Sequence, residues 1–213
     1  MGLKEKVISE ITSVVFENGI ELNEDCKIFL SYVSDDLFCI FTKKPIGNLF
    51  KQSCDDNLNS FFKKIGNMLI TDDLNGDGCF DHENSVFDRY SCIRNKVNNY
   101  FNYNSNFVLI KYTEKKIKPL SYFTVSNGFI WSVCTNKTER KKGYMSKLFK
   151  HFIKLLKRNE LTNSSDIVVK DNHLHLYLLK KNPMFIETKK FYEECGFKQN
   201  MVLNDKIIMV IQI

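Results

Sequence analysis

No apolar stretch of the chain approaches the roughly 20 residues that a membrane-spanning helix needs. The opening MGLKEKVISEITSVVFENG is an amphipathic pattern broken by charges, not the uninterrupted apolar run of a secretory signal. Lys6 stands where N-myristoylation of Gly2 would want serine or threonine. CxxC is absent too. The seven cysteines are odd in number and scattered, a spacing that suits neither a zinc site nor a disulfide framework. They read as reduced thiols, and the four histidines form no metal cluster. There is no internal repeat and no low-complexity tract. These absences exclude membrane, fibrous and disulfide-stapled classes and lead us to expect a cytoplasmic protein.

What is present is ordinary in amount and uneven in placement. Hydrophobic residues make up 43% of the 213 and charged residues 26%, enough for one well-cored domain and against long disorder. Net charge is +6, but residues 1–110 carry 11 Lys/Arg against 16 Asp/Glu, and residues 111–213 carry 20 against 9. The C-terminal half is therefore the natural host for a polyanion. Nucleic acid, an anionic surface and a phosphorylated cofactor all fit that charge.

Along the chain, Leu3, Val7, Ile8, Ile11, Val14 and Val15 share a helical face that Gly19 ends. KIFLSYV and LFCIFT flank a polar turn as a strand pair. Residues 57–70 and 84–101 read as helices around a Gly/Asp-rich loop. The polar stretch NYNSN supports a boundary between a first part, 1–104, and a second, 105–213. Beyond it FVLIKY, PLSYFTV, FIWSVCT, HLHLYLL and KIIMVIQI read as strands, with TEKKIK as a charged turn after the first. Residues 144–158 form the clearest helix: Leu148, Phe152 and Leu155 on one face, Lys147, Lys150, Lys154 and Lys157 on the other. ETKKFYEEC reads as a short helix. The order β-β-β-α-β-α-β implies one parallel strand pair in an otherwise antiparallel sheet.

The segment FIWSVCTNKTERKKGYMSKLFKHFIKLLK carries the chemistry. A buried strand ends near Thr135, a loop bears Arg140, Lys141, Lys142 and Gly143, and a long helix begins. Exposed amides at a helix N-terminus attract phosphate, Gly143 lets the backbone approach an anion, and three cations complement its charge. This places a phosphate or pyrophosphate site at residues 140–146. The bland alternative is a solvated basic turn.

The arrangement resembles the GNAT superfamily of N-acetyltransferases. Arg140-Lys141-Lys142-Gly143-Tyr144-Met145 matches that family's pyrophosphate loop between strand and helix. Phe191-Tyr192-Glu193-Glu194-Cys195-Gly196-Phe197 matches its aromatic–Tyr–x–x–x–Gly–Phe signature. The resemblance covers residues 105–213, the acetyl-CoA-binding core, and leaves 1–104 as a divergent N-terminal part of the domain. Three positions depart from the pattern. Met145 stands where the family prefers a small residue, so its side chain must point away. Phe185 and Thr188 stand where Asn and Ala are usual, with Asn182 three residues too early.

The resemblance implies an α/β (α+β) fold: a mixed, mostly antiparallel sheet splayed at a central parallel pair and flanked by helices. It implies an acyltransferase that moves the acetyl group of acetyl-CoA to a primary amine by direct attack. The cofactor would lie between the strands around 131–135 and 173–179, with Val133, Cys134 and Thr135 offering backbone groups and Arg140 to Ser146 the phosphate site. An amide near Cys134 or Val133 would face the oxyanion, and Tyr192 would protonate the leaving thiolate. Tyr192 has a plainer reading as a half-buried helical tyrosine, and Cys134 reads as a core thiol, not a nucleophile. His173 and His175 point the same way on their strand and are possible bases.

The loop from Asp73 to Asn84 resembles an EF-hand calcium loop, with Asp73, Asn75, Asp77 and Asp81 as oxygen ligands. Its twelfth position is Asn84 where calcium wants a bidentate Glu, and no second loop pairs with it. A glycine-rich turn that holds no metal is the favoured reading. Rival functions are an inactive CoA-binding or scaffold protein of the same fold and a nucleic-acid binder. Phe149 and Phe152 fall on the apolar helix face, which argues against the last. The acceptor's class, protein or small molecule, and the oligomeric state are left open.

Overall fold

The structure, a computed structural model, describes residues 28–42, 105–113, 116–161 and 172–213. The expected helices at 3–15, 57–70 and 84–101, and the candidate calcium loop, lie outside these residues. Eight strands form one sheet: β1 (Ile28–Ser34), β2 (Leu37–Thr42), β3 (Ser105–Thr113), β4 (Lys116–Ser126), β5 (Phe129–Thr135), β6 (His173–Leu179), β7 (Lys198–Val202) and β8 (Lys206–Gln212). Among the described residues two helices accompany them, α1 (Tyr144–Lys157) and α2 (Phe185–Glu194). The sheet order is β1-β2-β3-β4-β5-β6-β8-β7. Every neighbouring pair is antiparallel except β5 and β6. This is the mixed sheet with one central parallel pair that the strand order implied, and it runs unbroken from the first part of the chain into the second.

Local chemistry explains the turns. Asp35 adopts the left-handed conformation (φ 44°) in the β1–β2 turn, where a short polar side chain is tolerated. Asn127 and Gly128 both have positive φ, 49° and 75°, the pairing that a tight hairpin between β4 and β5 requires. The charged segment TEKKIK is mostly strand: Thr113 pairs with Lys116 and Lys111 with Lys118, so the ladder continues through residues expected to turn. Strand β7, KQNMV, has no alternating apolar pattern to announce it. All five of its residues are exposed, because β7 is an edge strand whose place comes from pairing with β8.

The core lies between the sheet and its two helices. Helix α1 buries Met145, Leu148, Phe149, Phe152, Leu155 and Leu156, and its lysines at 147, 150, 154 and 157 are exposed. Phe123 of β4 stacks on Phe149 at 4.7 Å and meets Phe152 edge-on at 5.1 Å. Leu174, Leu176 and Leu178 of β6 face the same core. Truncating Phe149 to alanine is expected to cost about 3–5 kcal/mol, since the ring is fully buried with aromatic neighbours on several sides. Urea unfolding would measure this as a lower midpoint at constant slope.

Candidate functional site

Strands β5 and β6 run side by side but share only one register pair, Phe129 with His175. The His175 amide donates to the Gly128 carbonyl at 2.8 Å. Six more residues of β5 and four of β6 follow that pair without pairing to each other, so the strands part toward Thr135 and Leu179. The sheet is thus splayed at its centre.

A second irregularity lies in β5 itself. Tyr122 pairs with Cys134 and Thr124 with Trp131, so Ser132 and Val133 together oppose Phe123 alone. This is a β-bulge, in which one residue's backbone groups leave the ladder. It falls in the stretch of β5 that has no register partner on β6.

The loop that follows is tightly built. The Asn136 amide donates to the Leu120 carbonyl at 2.9 Å, and a 3₁₀ turn, Lys137–Glu139, is closed by the Glu139 amide on the Asn136 carbonyl at 2.8 Å. Arg140 returns to the strand, its Nε donating to the Thr135 carbonyl at 3.2 Å. Lys141 has a left-handed backbone (φ 63°) and is exposed. Gly143 is left-handed as well (φ 76°) and occupies the N-cap position of α1. A Cβ built there would meet nothing within 4 Å. Its glycine is required by the backbone angle and not by crowding, and the space beside it is open.

The N-terminus of α1 is bare. No side chain caps it, and no acidic residue stands in its first turn. The first helical bond runs from the Lys147 amide to the Gly143 carbonyl at 3.0 Å, so the amides of Tyr144, Met145 and Ser146 have no partner within the helix. The macrodipole is therefore unneutralised at this end. Met145 is 8% exposed and packed into the core, so its bulk points away from the loop as expected, leaving its backbone toward the site.

Sequence reasoning overlooked Glu139. Its carboxylate is only 9% exposed and binds two lysines, Lys118 at 2.6 Å on Oε1 and Lys142 at 2.9 Å on Oε2. Hydrogen bonds from Lys118 and then Lys142 hold its pKa down, from an ordinary 4.5 to about 2. Stability from a depressed carboxylate is present above the unfolded pKa and is lost as pH falls through the folded one. The Tm difference between wild type and Glu139→Gln is therefore expected to hold steady above about pH 5 and to close toward pH 2, as thermal melts across that range would show.

Tyr192 lies on α2 within an aromatic cluster, its ring 5.8 Å from Phe149, 5.0 Å from Phe191 and 5.7 Å from Phe197. It is 5% exposed, and burial first, with Cys195 second, pushes its pKa well above the ordinary tyrosine value. Since Phe149 is one helical turn beyond Met145, the cluster brings Tyr192 beside the first turns of α1. Asn182 is otherwise engaged: its Oδ1 accepts from the Met184 amide at 2.9 Å, an Asx turn that leads into α2. His173 and His175 lie on the β6 face opposite the core leucines, 6.4 Å apart, and His175 packs on Phe129 at 5.2 Å. Cys134 is buried, as a core residue would be. Cys39 and Cys195 are free thiols among the described residues. Among the described residues no group of three or more His, Cys, Asp or Glu is placed to hold a metal, and no helix is long and apolar enough to cross a membrane.

No protein-family model matches the chain, and no curated protein matches it. Solved structures do. The PaiA N-acetyltransferase of Thermoplasma acidophilum in complex with coenzyme A is similar at 13% identity over 82% of this chain and 99% of its own, with a TM-score of 0.47. A GNAT-family acetyltransferase from Staphylococcus aureus Mu50 is similar at 15% identity over 72% of this chain and 93% of its own, at 0.44. The ribosomal-protein-S18-alanine N-acetyltransferase of Escherichia coli reaches 18% over 52% of this chain and 69% of its own, at 0.37. At such identities the likeness is one of fold, and says nothing of acceptor or activity.

Proposed function

We propose that the chain is an acetyl-CoA-dependent N-acetyltransferase acting on a primary amine. The observation that carries this reading is the uncapped, acid-free N-terminus of α1 behind the left-handed Gly143 with open space beside it. It stands at the mouth of the one parallel strand pair among the described residues, where β5 and β6 part. Residues present there fit a cofactor that joins a pyrophosphate to an extended, amide-bearing arm.

The amides of Tyr144, Met145 and Ser146 would hold the pyrophosphate, with the basic loop from Arg140 to Lys142 lending charge. Val133 and Thr135 would orient the arm along the free edge of β5. Acetyl-CoA supplies the acetyl group as a thioester. An amide released by the bulge at 132–133 would donate to the negative charge that develops on the thioester oxygen, and being already oriented it needs no reorganisation there. The acceptor amine would attack the carbonyl carbon directly as the C–S bond breaks, and Tyr192 would give its hydroxyl proton to the departing sulfur. The amine's surplus proton leaves to solvent or a base.

A second reading has its own support. Phe185 and Thr188 replace the residues the resemblance would place on α2, which favours a protein that binds CoA without turnover. Incubation of the full chain with acetyl-CoA and a panel of amines, followed by thiol release and product mass, separates the two. Release that depends on an amine supports the enzyme. Saturable binding with no release for any acceptor supports the binder.

A further inference from the structure

A carboxylate beside an anion site lowers affinity by charge alone, so Glu139 at the base of this loop calls for another explanation. The turn that carries it is rigid. Asn136 Oδ1 accepts from both the Thr138 amide, at 3.2 Å, and the Thr138 hydroxyl, at 3.1 Å, and the Glu139 amide closes on the Asn136 carbonyl. From this fixed point the carboxylate reaches in two directions. One oxygen takes Lys118 of β4, the other takes Lys142. Lys142 immediately precedes Gly143, so holding its side chain restrains the backbone that sets the left-handed turn into α1. The two lysine side chains are about half exposed, at 53% each, while the carboxylate between them is nearly covered. That is the arrangement of a clamp and not of a solvated surface pair.

We propose that Glu139 is the positioning residue of the phosphate loop: by clamping Lys142 and tying it through Lys118 to β4, it keeps the bare amides of α1 presented to the cofactor. Lys142 then acts as a strut of the loop as well as part of its positive charge. The inference rests on the acetyl-CoA reading above.

The sign of one result decides it. Glu139→Gln raises the net charge by one, so if charge alone governed, acetyl-CoA would bind more tightly. The clamp predicts the reverse: about tenfold weaker binding by calorimetry, a KM for acetyl-CoA raised to match, and kcat unchanged. Lys118→Met should weaken binding similarly, and the double variant should be no weaker than the worse single, because both cut the same tie. In the absence of cofactor, trypsin should cleave after Lys141 and Lys142 faster in each variant than in the wild-type chain. Equal or tighter binding by Glu139→Gln, additive losses in the double variant, or unchanged cleavage would each overturn the clamp. If the wild-type chain bound no acetyl-CoA, the acetyltransferase reading would fail on its own, and the cleavage rates would still decide whether Glu139 orders the loop.

Discussion

Replacing Gly143 with tryptophan is expected to abolish acetyl-CoA binding at millimolar cofactor while the chain remains folded. The argument has two separable parts. An L-residue held at φ 76° is strained, by roughly 1–2 kcal/mol, and for a domain of this length that lowers Tm by about 2–8 °C. Strain alone does not unfold the protein, and a Cβ at this point meets no neighbour within 4 Å. Any loss of binding beyond the strain must therefore come from occupying the open space in front of α1. Gly143→Ala divides the two effects: it should show nearly the same Tm loss with a smaller loss of affinity, since one methyl group only partly fills that space. Melting curves and calorimetric titrations of both variants measure this. Wild-type affinity in Gly143→Trp would move the phosphate site away from this loop.

Tyr192→Phe is expected to lower kcat by about 10²–10³ with the affinity for acetyl-CoA unchanged within about twofold, the range lost when a positioned proton donor is removed. The substitution removes one oxygen from an aromatic cluster and leaves its ring contacts with Phe149, Phe191 and Phe197 in place, so stability should change little. Burial raises the pKa of this hydroxyl, which keeps it protonated, and so able to donate, through the whole neutral range. The kcat of wild type should accordingly show no alkaline decline from this group below pH 10. The same burial makes a tyrosinate costly, so the proton given to sulfur must be regained within each turnover. A Tyr192→Phe variant with wild-type kcat would return Tyr192 to the role of a packing residue.

The parts of the molecule legible in the sequence are those whose burial is one-sided. Helix α1 was readable because its apolar positions recur at helical spacing against a lysine face, and β6 because Leu174, Leu176 and Leu178 alternate with outward residues. The splay between β5 and β6 followed from strand order and the family resemblance. Edge strand β7 was illegible because both its faces meet solvent, which erases any period. The bulge at 132–133 has no local signature either, being defined by a register with β4. Glu139 was missed for a related reason: its meaning depends on Lys118, 21 residues earlier, and no spacing within the basic loop points there.

The central claim is that this chain holds acetyl-CoA between β5, β6 and the start of α1. Titrating acetyl-CoA into the full-length wild-type protein by calorimetry tests it most directly. The account predicts saturable one-site binding in the micromolar range, competed by CoA. No heat at millimolar cofactor would contradict it, and would remove the acetyltransferase and the CoA-binding readings together.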